Sequence, residues 1–177
     1  MTPYERLAQL DKLAEQGYEP NEAELEFAFK SVLSADEKES RMACVLLTGL
    51  DRSVLLRVTE RLASYPIPTQ LFLVPLLAAA EFVEIFSFLF RYLKDITNPE
   101  LTELTIKALA KTEYFVVPLL FHFLNDPDRV FHDRLLRVIW YMGFRKLQPY
   151  LTMFPVLPFE AEFRELFGDD LIESLYT

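Results

Sequence analysis

Two segments in the second half of the chain carry the same residue pattern at an offset of 31 positions. Phe88–Asp95 aligns with Leu119–Asp126, and the same offset carries Pro118 onto Pro149. Self-similarity at a fixed period of about 20 to 50 residues is typical of proteins built from stacked repeats. Such a repeat constrains the fold strongly, because one short unit cannot bury its apolar face and has to pack on the next.

Helical periodicity runs through the rest of the chain. Apolar residues recur at steps of three and four, whereas neither a sustained apolar and polar alternation nor an Asn-Gly or Asp-Gly turn indicates a strand. The pattern predicts helices over residues 3–16, 21–32, 52–64, 69–80, 82–94, 99–111, 114–125, 128–142, 146–153 and 159–176, with a further helix from Ser34 or Asp36 to Gly49 and a break at Gly168. Because the connections are short, neighbouring helices should be antiparallel. We therefore expect one all-α domain over residues 1–177.

Residues typical of helix N-termini separate the two helices of each repeat. Residues 98–100 read Asn-Pro-Glu, and residues 126–128 read Asp-Pro-Asp. Each triplet combines an Asx cap, a proline and an acidic residue, so we expect Asn98 and Asp126 to cap the second helices. Beyond this turn the repeats align at an offset of 30, which places Leu101 on Phe131.

The second repeat resembles a HEAT-like helical repeat. The resemblance rests on residues 117–120 (Val-Pro-Leu-Leu), 124–128 (Leu-Asn-Asp-Pro-Asp) and 131–143, and it covers about residues 82–153. It implies a short right-handed α-solenoid of antiparallel helix hairpins, with residues 1–17 and 159–177 as capping helices. It also implies that the second helices line the concave side. Trp140 departs from the family pattern, since a small residue is common at that position.

Charge is distributed unevenly along the chain. The net charge is −9, but residues 129–158 carry +4, whereas residues 1–40 and 159–177 carry −6 and −5. The basic residues of this segment are Arg129, Arg134, Arg137, Arg145 and Lys146. Three interpretations remain open for them: they bind a partner, they are solvated, or they pair with the acidic C-terminal helices of the same molecule.

A candidate binding surface follows from helical spacing together with the resemblance. Arg134 and Arg137 lie three residues apart on one predicted helix, with Tyr141 one turn further along. The HEAT-like arrangement adds residues of the preceding second helix to the same side. Arginine and tyrosine are enriched among the residues that dominate binding energy at protein interfaces. The predicted partner-binding residues are Glu103, Lys107, Lys111, Asp133, Arg134, Arg137 and Tyr141.

The composition argues against several other environments. An acidic chain disfavours nucleic acid as a partner, because the phosphate backbone repels it. The apolar stretch 71–93 is interrupted by Glu81, Glu84 and Arg91, which predicts two core helices rather than a membrane span. The N-terminus lacks the basic and then apolar order of a secretory signal, and Cys44 has no second cysteine to pair with. We therefore expect a cytoplasmic protein.

No residue pattern indicates catalysis or a bound cofactor. His122 and His132 lack the spacing of metal ligands, the four glycines are isolated, and the apolar neighbours of Cys44 should raise the pKa of its thiol. We predict a non-catalytic scaffold or adaptor that binds a protein or peptide, for which the basic segment favours an acidic one. The alternatives are a HEAT-like accessory enzyme of the lyase or glycosylase type and a homodimer formed through an exposed aromatic face.

Overall fold

The helices predicted from the apolar periodicity are present. The computed structural model describes residues 1–112 and 116–177, and these residues form helices and no strand. The helices are α1 (Pro3–Glu15), α2 (Glu22–Ser31), α3 (Glu37–Gly49), α4 (Arg52–Arg61), α5 (Ile67–Ala79), α6 (Val83–Asp95), α7 (Pro99–Ala110), α8 (Val117–Phe123), α9 (Arg129–Met142), α10 (Phe144–Leu151), α11 (Glu160–Phe167) and α12 (Asp169–Glu173). The all-α class is therefore confirmed.

Most helix ends lie within two residues of their predicted positions. The helix predicted over 52–64 ends at Arg61 and continues as a 3₁₀ turn, Leu62–Ser64. Helix α5 begins two residues earlier than predicted, because Pro68 lies in its first turn, where a missing N–H group costs no hydrogen bond. The helix predicted over 114–125 corresponds to α8, and its residues 114 and 115 lie outside the described residues.

The apolar stretch 71–93 is divided between two helices, as predicted. Helices α5 and α6 are separated by residues 80–82, where Glu81 adopts a left-handed backbone conformation with φ 57°. Over the described ranges, no helix has both the length and the apolar character needed to cross a membrane.

The described helices form two units, residues 1–88 and residues 89–177, and the boundary lies within α6. In the first unit, α3 is the central helix and packs against α1, α2, α4 and α5. Its inner side contributes Ala43, Cys44, Leu46 and Leu47, which are almost completely buried. The single-domain organisation stays a prediction.

Burial makes Cys44 a poor nucleophile, as its apolar neighbours predict. The side chain is 1% exposed, and burial raises the pKa of the thiol to about 12. At pH 8 the folded protein therefore holds almost no thiolate, whereas an unfolded cysteine, with an ordinary pKa of about 8.5, is substantially ionised. We expect Ellman's reagent to leave the native protein unmodified over an hour and to titrate one thiol per chain in denaturant. Rapid modification without denaturant would contradict the buried position.

The second unit contains most of the repeat, and burial follows the predicted offsets. In α6 and its counterpart 31 positions later, the matched buried residues include Leu89, Phe90 and Leu93, and Leu120, Phe121 and Leu124. In α7 and its counterpart 30 positions later, they include Leu101, Thr105 and Leu109, and Phe131, Leu135 and Ile139. Most buried positions of the first copy are thus matched in the second, but Ala110 is buried whereas its counterpart Trp140 is exposed.

The first helices of the two repeats lie side by side. The rings of Phe90 and Phe123 are 5.4 Å apart, and Lys94 Nζ lies 2.7 Å from Asp126 Oδ2. Because the separation in sequence is nearly the same in both contacts, α6 and α8 run in the same direction. Asp126 has a lowered pKa, primarily because its carboxylate accepts the hydrogen bond from Lys94.

The cap predicted at Asp126 is wrong. Asn98 caps α7 as predicted, but α9 is capped by Asp128, whose carboxylate accepts a hydrogen bond from Phe131 N at 3.1 Å. Asp126 instead accepts a hydrogen bond from the backbone N–H of Asp128 at 2.9 Å, which organises the turn before the cap. The offset of 30 between the second helices explains the difference, since it places Asn98 on Asp128 and not on Asp126.

The match between Pro118 and Pro149 is not a structural equivalence. Pro118 lies in the first turn of α8, whereas Pro149 lies near the C-terminal end of α10. Helix α10 starts directly after Gly143, at the end of α9, so no connecting turn of the length found between the repeats is present there. The alignment at 31 therefore applies to two copies and does not extend to a third.

Arg164 neutralises part of the charge of the acidic C-terminal segment. The guanidinium of Arg164 contacts Glu160 at 2.6 Å, Glu173 at 2.7 Å and Asp169 at 3.1 Å. These contacts join α11 to α12 and raise the pKa of Arg164, with the hydrogen bond to Glu160 as the largest cause. The role of this segment as a solenoid cap stays a prediction.

Candidate partner-binding surface

Helices α7 and α9 bring the predicted surface residues together. Glu103 is paired with Arg137, and Lys107 Nζ lies 5.5 Å above the ring of Tyr141. Both pairs are separated by 34 positions in sequence, so α7 and α9 run parallel. Residues one turn apart on α7 therefore contact residues one turn apart on α9. The packing of α7 on α9 thus produces a continuous two-helix surface.

A hydrogen-bonded cluster around Glu103 forms the centre of this surface. Its carboxylate accepts hydrogen bonds from Arg137 and, at 2.6 Å, from the hydroxyl of Tyr141, while Lys107 Nζ lies 3.3 Å from Oε1. The Tyr141 hydrogen bond is the main cause of a lowered pKa of Glu103, with further contributions from Lys107 and Arg137. We call Glu103, Lys107, Arg137 and Tyr141 the Glu103 cluster.

Two further predicted residues lie on the same helices but outside the Glu103 cluster. Lys111 follows the last residue of α7, and Asp133 lies one turn before Arg137 on α9; both side chains are exposed. They extend the charged surface along each helix.

Arg134 has a different position from Arg137. Its guanidinium donates hydrogen bonds to the backbone carbonyls of Leu93 and Lys94, near the C-terminal end of α6. Those carbonyls have no partner within the helix and carry the negative end of its dipole, so a cation there is stabilising. Arg134 therefore connects α9 to α6, and only Arg137 faces α7.

The basic segment makes its described pairings with α6 and α7. Besides Arg134 and Arg137, Lys146 donates a hydrogen bond to the carbonyl of Ala110 at 3.1 Å. The acidic C-terminal helices are joined to Arg164, and they also contact the basic segment, where His132 lies 3.9 Å from Glu162 and the rings of Phe144 and Phe167 are 5.7 Å apart. Intramolecular pairing of the segment is thus present, but its main acceptors are in α6 and α7.

Trp140 is a surface residue that the sequence interpretation missed. It is 56% exposed on α9, and its ring meets the ring of Tyr141 edge to face at 5.0 Å. Tryptophan, tyrosine and arginine are the three residue types most enriched in binding hot spots, and all three lie here within two turns of one helix. In the sequence, Trp140 is marked only by its departure from the HEAT-like pattern, in which a small residue is common at this position.

Two other kinds of site were considered in the described residues, a metal site and a ligand groove. Within the described residues, no group of three histidine, cysteine, aspartate or glutamate side chains could hold a metal ion. An open groove of about 550 Å³ in the first unit is lined in part by Tyr18, Glu22 and Arg57. Arg57 and Glu22 are already paired with each other there, since Arg57 makes a two-armed contact with the Glu22 carboxylate. None of the predicted partner-binding residues lines this groove.

Comparisons of the chain with protein-family models, with curated proteins and with solved structures give no match.

Proposed function

We propose that the chain is a short right-handed HEAT-like α-solenoid that acts in the cytoplasm as a non-catalytic binding protein. Its partner is a protein or peptide that docks on the exposed side of α7 and α9. The observation that carries the proposal is the exposure of Trp140 beside Tyr141 and Arg137, on a surface that also displays Lys107 and Lys111.

Exposure of these residue types has a cost that a binding role explains. A large aromatic side chain left in water forgoes the free energy of burial, about 25 cal/mol for each Å² of apolar surface. Exposed tryptophan flanked by charged residues has the composition of an interface core with its polar rim. Because α7 and α9 lie parallel, a partner can contact both helices at once, which widens the binding surface.

The proposal is tested by a variant that leaves the Glu103 cluster intact. Trp140→Ala with Lys111→Glu changes two exposed side chains outside the hydrogen bonds to Glu103. We expect affinity purification from the source cells, quantified by mass spectrometry, to recover the partner of the wild-type chain about tenfold less with this double variant.

A matched control is available in the same unit. Leu171→Ala with Arg91→Glu makes the same kinds of change at exposed positions on α12 and α6. This control should recover the partner as the wild type does, and circular dichroism should show that both variants are folded. Equal recovery by all three proteins would exclude the α7 and α9 surface as the binding site.

A further inference from the structure

We propose that the partner is an acidic peptide segment. In the free protein the carboxylate of Glu103 is bound to Arg137 and Lys107, and a carboxylate of the partner displaces it. This inference rests on the proposed function and adds the chemistry of the partner and an internal competitor for it.

Charge complementarity favours an acidic occupant. The exposed cations Lys107, Lys111 and Arg137 lie on one two-helix surface of a chain whose net charge is −9. Residues 1–40 and 159–177 carry −6 and −5, so an acidic segment is repelled by both ends of the chain. Once Glu103 is displaced, these three cations outnumber Asp133, the one acid left among the predicted surface residues, and an acidic segment is drawn to them.

Glu103 already shows the contacts that a bound carboxylate would make. One carboxylate engages a guanidinium, an ammonium and a phenol hydroxyl, and the two cationic donors make the stronger, charge-assisted contacts. The side chains of Arg137 and Lys107 are nevertheless 51% and 52% exposed, so an external carboxylate can reach both. Exposed ion pairs add little to stability, so exchanging Glu103 for a partner carboxylate carries a small penalty.

Trp140 provides a direct optical probe, because it is the single tryptophan of the sequence and lies beside Tyr141. The experiment titrates the full chain with a synthetic oligoglutamate peptide at low ionic strength and records Trp140 fluorescence. We expect Glu103→Gln to bind the peptide about tenfold more tightly than the wild type, since it removes the competing charge and keeps the side-chain size. Adding Arg137→Gln should abolish that gain, and added salt should weaken binding.

The matched control is Glu100→Gln, the same change one turn earlier on α7 at an exposed position outside the Glu103 cluster. It should leave the affinity near that of the wild type. The inference is overturned if Glu103→Gln binds no better than Glu100→Gln, if neither binds, or if an oligolysine peptide binds in place of oligoglutamate. Because the purification with Trp140→Ala and Lys111→Glu uses the natural partner, it decides the proposed function separately from this result.

Discussion

Replacing Phe163 with alanine should lower the free energy of unfolding of the second unit by about 3–5 kcal/mol. Phe163 is completely buried in α11, with its ring 5.8 Å from that of Phe121 and 6.2 Å from that of Phe167. Truncation removes the apolar contacts and leaves a cavity between α8 and α11, which the surrounding helices can fill only in part.

Urea unfolding followed by Trp140 fluorescence measures the effect in the second unit, and far-UV circular dichroism reports the whole chain. Phe154→Ala is the matched control, because the ring of Phe154 also contacts that of Phe121, at 5.3 Å and tilted, but Phe154 is 37% exposed. It should cost about 1 kcal/mol. If both substitutions reduced stability equally, Phe163 would not be the buried anchor of α11 that the structure describes.

Gly143→Ala should destabilise the second unit by about 1–3 kcal/mol through the backbone alone. Gly143 lies between α9 and α10 with φ 79° and ψ 151°, a region that residues with a Cβ atom rarely adopt. An added Cβ would meet nothing within 4 Å, so steric contact with other residues does not contribute.

The control for this prediction is Gly49→Ala, in the first unit. Gly49 is the last residue of α3 and does not have a positive φ, and a Cβ added there would also meet nothing within 4 Å. Alanine there should raise stability by about 0.5–1 kcal/mol, because it restricts the unfolded chain without straining the helix. Opposite signs for the two substitutions, measured as shifts of urea midpoints, are the expected result; a loss at Gly49 as large as at Gly143 would refute the backbone explanation.

Much of the fold is predictable from the sequence because helices depend on local chemistry. The division of the apolar stretch 71–93 at Glu81 and the break at Gly168 follow from residues within one or two turns of each site. The sequence predicts the wrong cap for α9 because Asp126 and Asp128 have the same side chain. Pro127 is compatible with a cap at either residue, since it can lie before the cap or after it. The choice between them depends on how α9 packs, which the repeat offset indicates and the local sequence does not.

The candidate site was predictable as a set of residues but not as a set of contacts. Helical spacing and the HEAT-like resemblance predicted Glu103, Lys107, Arg137 and Tyr141 on one surface, and the structure brings these four together. Neither the resemblance nor the spacing indicated that Glu103 would be the shared acceptor. Trp140 was noted as a departure from a pattern, but its exposure depends on which side of α9 faces the rest of the unit.

The sequence by itself determined the helices, most of their ends and the offsets of the repeat, because periodicity and capping act over about four residues. Only the tertiary structure decided which charges meet. Arg134 and Arg137 are three residues apart, yet one contacts α6 at a separation of 40 and 41 positions and the other contacts α7 at 34. Those partners depend on how α6 and α7 pack against α9, and that packing is set by the buried faces of all three helices.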